Sequence, residues 1–256
     1  MHVQYARDGA YCYDTGMTTI NVFTARACAA PLVQAAELFR RATGIAVEVG
    51  QCSRHCASAN AEEAEGPGGD DFLQEIADAG IYDCAIAGAE YLLDDGEVRG
   101  IIARGKRRTI TLRGSGIIVA AGNPKGIREL GDLARPGLRV AISVLDCLKG
   151  LWEDLLGRAG LIVPVRKNIV FYANGCVALV ESVVQGKVDA AIGWSAFEHL
   201  APGRIESVTQ TPEWTIARAT AIGMLKTSQH PAEAQQFMDY LATDEIKAIY
   251  RRYGWM

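Results

Sequence analysis

No run of eighteen apolar residues occurs in this sequence, so no segment of it reads as a membrane-spanning helix. A basic excess is missing too. Lys and Arg number 26 against 30 Asp and Glu, a formal net charge of −4, which leaves no electrostatic footprint for nucleic acid, and no such partner is expected. The one local basic run, RGKRR at 104–108, reads as a solvated loop or strand edge. No G-x-S-x-G, H-E-x-x-H or phosphate-loop pattern is found, and the four histidines, His2, His55, His199 and His230, are scattered. Nothing therefore signals an enzyme class. The amino-terminal MHVQYARDGAYCYDTG has no cationic segment followed by an apolar run and a small-residue cleavage site. That leaves the cytoplasm, or the periplasm or cell exterior after removal of a leader, as the compartment.

What is present is the composition of a globular protein, 49% hydrophobic and 22% charged over 256 residues. That length suffices for two lobes, each with its own core. A monomer is expected. The count of seven cysteines is high and odd, and their spacing is not that of a disulfide scaffold. Metal ligation, reactive thiols and simple burial all have to be weighed for them.

Strand and helix patterns alternate along the chain. TINVFT at 19–24 reads as a buried strand, PLVQAAELFRRAT as a helix stopped by Gly44, and IAVEVG as a second strand parallel to the first. A polar stretch follows, with an acidic linker at 62–71 that has the composition of a solvated segment. After a short helix at 72–79 and the strand DCAIA, the runs RTITL and GIIVAAG predict a buried pair of strands where the chain crosses to a second lobe. From Asn123 the alternation resumes: a turn-rich helix in NPKGIRELGDLARPG, the strand LRVAIS, an amphipathic helix in CLKGLWEDLLGRAG, the strand KNIVFY, the helix CVALVESVVQGK and the strand VDAAIGW. The closing PAEAQQFMDYLATDEIKAIYRRYGW reads as helix with a break at Ala242 and Thr243, bracing the two lobes. The expected fold is α/β: two doubly wound lobes joined by a hinge. Residues 1–16 form an added arm, 17–108 with 220–256 a discontinuous first lobe, and 109–219 a second.

Ligands of doubly wound sheets lie outside the carboxyl ends of strands, against helix amino termini. Four stretches meet that description, 25–30, 50–58, 143–149 and 173–177, and each contains a cysteine.

In its order of elements and its wording the chain resembles the molybdate and tungstate binding proteins of ABC importers, which have the type II periplasmic-binding-protein fold. The likeness is carried by INVFTA, FRRATGIAVEV, YDCAIAGAEYLL, IIVAAGNPKGIRELGDLARPGLRVAI, LVESVVQGKVDAAIGW and MDYLATDEIKAIYRRYGW, from Thr18 to Trp255. It implies a solute-binding protein that serves an importer's membrane component. It further implies a tetrahedral oxyanion held by hydroxyls and backbone N–H groups from four loops and by a tyrosine hydroxyl. Here the first loop reads Arg26-Ala27-Cys28, and the second runs from Gln51 through Cys52, Ser53, Arg54 and His55 to Cys56, with Ser58 beyond. The third reads Leu145-Asp146-Cys147-Leu148, the fourth carries Cys176, and Trp194 takes the tyrosine's place. The oxyanion set so implied is Ala27, Cys28, Ser53, Cys147, Leu148, Cys176 and Trp194, with Arg26 or Arg54 as a counter-charge.

The thiols suggest another guest. Cys28, Cys147 and Cys176 fall at or beside predicted helix starts, where the dipole favours thiolate. With Cys52 and Cys56 they supply the donors that an iron-sulfur cluster or a soft metal or metalloid ion requires. The ligand set expected on this ground is Cys28, Cys52, Cys56, Cys147 and Cys176, with Cys12 and His55 as additional candidates. Cys84, inside a strand, is expected to be a buried structural cysteine. The first expectation is therefore a thiophilic cluster, metal or other small inorganic ligand in the cleft, and the second a molybdate-type oxyanion.

Overall fold

A computed structural model describes residues 18–51 and 72–256. Among these, nine strands form one continuous sheet path in the order β2-β1-β3-β9-β4-β7-β5-β6, with β8 also paired to β4. The first part is built from β1 (Thr19–Thr24), α1 (Arg26–Thr43), β2 (Ala46–Gln51), α2 (Phe72–Ala79), β3 (Cys84–Ala87) and α3 (Glu90–Val98). β2 and β3 flank β1 in parallel, the arrangement that crossover helices impose. β4 (Ile102–Ala120) then leads to the second part: β5 (Val140–Ile142), α4 (Leu151–Arg158), α5 (Ile162–Arg166), β6 (Ile169–Tyr172), α6 (Gly175–Val184), β7 (Ala190–Trp194) and β8 (Ile205–Thr209). β5 runs parallel to both β6 and β7. β9 (Ala217–Leu225) returns to the first sheet between β3 and β4, and α7 (Pro231–Leu241) and α8 (Asp244–Arg252) finish the chain.

β4 differs from expectation in a way that matters for the site. Instead of two strands joined by a turn it is one 19-residue strand. Its first portion, to Gly114, pairs with β9, and from Ser115 it pairs with β7 on one edge and β8 on the other. The charged RGKRR lies on the solvated part of this strand, opposite an edge with no partner. The chain thus passes between lobes within a single hydrogen-bonded strand, and the residues at the crossing are fixed by ladders on both sides.

α1 also begins earlier than its apolar pattern suggests, at Arg26 rather than Pro31. A proline this close to the amino terminus removes only one of the early intrahelical bonds, so the helix tolerates it. The helix ends at Gly44, whose φ of 77° is the left-handed cap a glycine adopts without strain. Its apolar face, Leu32, Ala35 and Phe39, packs on Phe237 and Tyr240 of α7, with ring centroids 5.0 and 5.3 Å from that of Phe39. Burial of a side chain such as Phe39 contributes about 1.5–3 kcal/mol. The last two helices therefore complete the core of the first lobe rather than brace both lobes, and only the final residues reach the crossing. There the Trp255 indole N–H donates to Thr220 Oγ1 at 3.0 Å, and Ser195 Oγ donates to the Gly254 carbonyl at 3.0 Å. In the second lobe, the helix expected in 123–137 shrinks to a 3-10 turn at Leu130–Ala134. No helix among the described residues is long and apolar enough to cross a membrane.

Candidate functional site

The turns that follow the parallel strands gather at one edge. In the first lobe the Ala25 N–H donates to the Ile86 carbonyl at 3.3 Å, holding the start of α1 beside the end of β3. In the second, the Ala173 N–H donates to the Ile142 carbonyl at 2.7 Å, holding the end of β6 beside that of β5. Across the lobes the approach is close at Gly88. A Cβ placed there would lie 2.8 Å from the Cys147 Cβ and 2.9 Å from Arg113 Nη1, closer than real Cβ contacts come. The helices that begin at these turns, α1, α3 and α6, start at Ala25, Ala89 and Asn174 with no side-chain cap. The Cys28 and Leu92 N–H groups close back on the Ala25 and Ala89 carbonyls at 2.9 and 3.2 Å, and the positive ends of the helix dipoles favour an anion.

The floor of this cleft is Arg113, on β4 one residue before the chain passes to the β7 and β8 ladders. It is 2% exposed, and its Nε and Nη2 are buried with no hydrogen-bond partner among the described residues. Its guanidinium carbon stands 4.3 Å from the centroid of the Trp194 ring. Trp194, the last residue of β7, is fully buried, and its indole N–H likewise has no partner among the described residues. A cation over an indole face gains about 0.5–2 kcal/mol, less than the several kcal/mol that removing a charge from water costs. Arg218, directly opposite Arg113 in the β4–β9 register, lies over the same ring at 5.7 Å. It is compensated: Nη2 donates to Asp154 at 2.6 Å and Nη1 to the Lys149 carbonyl at 2.9 Å. Arg113 has no carboxylate among the described residues. Three donors with no acceptor among the described residues, on one cation with no counter-ion there and on the indole beneath it, meet at the strand crossing between the lobes, where an anion would find them.

Of the residues singled out from sequence, the structure brings Cys147 to the cleft floor and Trp194 beneath Arg113. Cys147 lies in a 3-10 turn, Asp146–Leu148, with Gly150 in the left-handed region separating it from α4, so the α-helical start expected for it is absent. Leu148, in the same turn, is 1% exposed and packs in the core. Cys176 is the second residue of α6 and 8% exposed. Cys28 is the third residue of α1 and fully buried in the core of the first lobe, beside Tyr250, whose hydroxyl pKa is pushed well up by burial and by the neighbouring thiol. Ala27, one residue earlier, is partly buried. Cys84 is fully buried in β3, and burial raises its thiol pKa beyond physiological reach. No disulfide joins the four described cysteines, and no group of three or more Cys, His, Asp or Glu among the described residues is placed to hold a metal ion. Cys12, Cys52, Ser53, Arg54, His55, Cys56 and Ser58 lie outside the described residues.

Arg113 is the residue that sequence reasoning missed. The signal was available: ITLRGSGIIVA places one arginine inside an apolar strand run, and a charge there needs a partner. Gly88 offers a test of the geometry. Gly88→Ala places a methyl against both lobes, so closure is expected to weaken solute binding about tenfold, about 1.4 kcal/mol. Titration calorimetry checks this, with a thermal melt beside it to show that the variant is folded.

The chain matches the bacterial extracellular solute-binding protein family over residues 20–256. It is similar to the molybdate-binding protein ModA of Mycobacterium tuberculosis, 27% identical over 143 residues, 54% of this chain. The chain spans about half the length of the curated relatives it matches, 52%. Among solved structures it is similar to PEB3 of Campylobacter jejuni at 21% identity, covering 92% of this chain and 98% of the other. The TM-score is 0.74, and 0.75 for the form with L-phospholactate bound. The periplasmic molybdate-binding protein of Azotobacter vinelandii gives a TM-score of 0.70 at 21% identity, covering 93% and 98%. These likenesses establish the fold, that of type II periplasmic binding proteins.

Proposed function

The chain belongs to the bacterial extracellular solute-binding protein family, and from that premise we propose that it is the receptor of an ABC-type importer whose cleft closes on an oxyanion. The observation that carries this reading is the buried Arg113, whose Nε and Nη2 have no hydrogen-bond partner among the described residues and whose Nη1 lies beside the turn where Gly88 of one lobe meets Cys147 of the other. An oxyanion supplies what that site lacks. Charge-assisted hydrogen bonds contribute about 1.5–3 kcal/mol each, and a guanidinium can present two to one oxyanion. The uncapped starts of α1, α3 and α6 add neutral donors around it. The relatives' own solutes agree with this chemistry, molybdate in two of them and L-phospholactate in the third.

The site would differ from the one the sequence resemblance implies, which relies on neutral hydroxyls and amides. Here a positive charge lies at the floor, and Ser143, 2% exposed after the end of β5, accepts from the Leu145 N–H at 3.3 Å. The thiophilic alternative draws no support from the described cysteines, since Cys28 belongs to the first lobe's core and Cys147 and Cys176 to the second cluster. Titrating the full chain with molybdate, tungstate and sulfate by calorimetry tests the reading. One-to-one binding of at least one oxyanion that survives thiol alkylation is expected. Binding of none, with uptake of a soft metal ion instead, would overturn it.

A further inference from the structure

We propose that the solute is a small organic dianion, held by one acid group at Arg113 and by a second at Lys149 at the mouth of the cleft. The inference rests on the preceding reading, that Arg113 receives an oxyanion, and adds what that oxyanion is attached to. Beside the floor the cleft opens into a recess of about 660 Å³, lined from one lobe by Ala89, Tyr91 and Arg218 and from the other by Lys149. That volume falls in the range of about 300–1,000 Å³ that small organic ligands occupy. A bare tetrahedral ion would leave most of it to water. The recess adjoins the floor on two sides. Ala89 follows Gly88, whose Cβ position lies 2.9 Å from Arg113 Nη1, and Arg218 stands over the same Trp194 ring as Arg113. The two guanidinium carbons, 4.3 and 5.7 Å from one centroid, are therefore within about 10 Å of each other.

The charges around the recess identify the second group. Its two carboxylates are already engaged, Glu90 and Asp94 both pairing with Arg107 at 3.4 and 2.6 Å. Arg218 is engaged by Asp154 at 2.6 Å. Lys149 is different: it is exposed, its Nζ stands 5.7 Å from the centroid of the Tyr91 ring, and no carboxylate among the described residues pairs with it. Among the described residues the cleft thus holds an uncompensated cation at each end, with an organic-sized space between and no free carboxylate lining it. An acid group at both ends of a short carbon frame matches that distribution, and a neutral or zwitterionic tail does not. Because Lys149 and Tyr91 come from opposite lobes, the second group would also be gripped only on closure.

The test compares phosphoglycolate, which carries two acid groups, with ethyl phosphate, of similar size and one acid group, and with inorganic phosphate. Each is titrated calorimetrically into the full chain freed of bound solute. Phosphoglycolate is expected to bind at least tenfold more tightly than ethyl phosphate, and Lys149→Ala to narrow that ratio to below threefold. Equal binding of the two esters, or a ratio unchanged in Lys149→Ala, overturns the inference while leaving the oxyanion reading intact. Binding that is indifferent to Arg113→Met overturns the oxyanion reading itself, and the inference with it.

Discussion

Arg113→Met is expected to weaken oxyanion binding about 100-fold, about 2.7 kcal/mol, while the solute-free protein melts no lower than the parent. The two halves of this result have one cause. The guanidinium is 2% exposed, its Nε and Nη2 have no partner among the described residues, and the Trp194 face returns only part of its desolvation cost. Methionine keeps much of the length and the apolar contact with the ring while removing the charge, and replacing an uncompensated buried charge by an apolar group is neutral or stabilising. With solute present the same charge forms hydrogen bonds that methionine cannot make, and their loss appears directly in the dissociation constant. A purely structural arginine would give the opposite pattern, a lower melting temperature with affinity little changed. Measuring both quantities on one preparation separates the two.

The largest loss of stability is expected from Asp83→Ala, at about 3–5 kcal/mol. Asp83 immediately precedes β3 and is 2% exposed. Its carboxylate accepts from the Asn21 N–H at 2.9 Å, the Ser228 hydroxyl at 2.7 Å, and the Gln229 and His230 N–H groups at 3.1 Å each. It therefore ties β1 and β3 to the turn between β9 and α7. Alanine would orphan these donors in the first lobe, at about 1–3 kcal/mol for each one left buried. Burial by itself would raise the Asp83 pKa, but the donated hydrogen bonds and the nearby His230 outweigh it and hold the group below the usual carboxylate range. A lowered folded-state value means that this stability is fully present above the unfolded-state pKa of about 3.9 and fades as the pH falls through the folded value. The difference in stability between the parent and Asp83→Asn, measured by urea unfolding, is accordingly expected to shrink between pH 5 and pH 2. A difference that stays constant over that interval would mean Asp83 is not ionised in the folded state.

The repeating strand and helix pattern made the fold legible in the sequence, because period-two and period-3.6 runs alternated from Thr18 onward and Gly44 and the Ala242-Thr243 break sat where helices end. The crossing strand was harder. RTITL and GIIVAAG read as two strands, whereas they are one, in which Ser207 stands where a Gly116 Cβ would be and Thr215 lies close to Gly114. Close packing and turning both select glycine, and a single sequence does not separate them. The site was legible only as a location. The turns after β1, β2, β5 and β6 were identified by topology, the turn after β3 that holds Gly88 was not, and the chemistry was sought in the cysteines, which composition makes conspicuous. Whether a cysteine two residues into a helix faces a cleft or a core depends on helix phase, and an earlier start for α1 turns Cys28 toward Tyr250. Arg113 stood in the sequence as one charge inside an apolar run, but its place at the crossing is defined only when the sheet on either side of it is assembled.

The most direct test is calorimetric titration of phosphate, sulfate and molybdate into the full chain, stripped of solute and with its thiols alkylated, alongside Arg113→Met treated in the same way. At least one oxyanion should bind the alkylated parent one-to-one, and the same titration should lose about 100-fold in affinity in Arg113→Met. No binding to the alkylated parent, or equal binding to both proteins, would contradict a cleft built around that guanidinium.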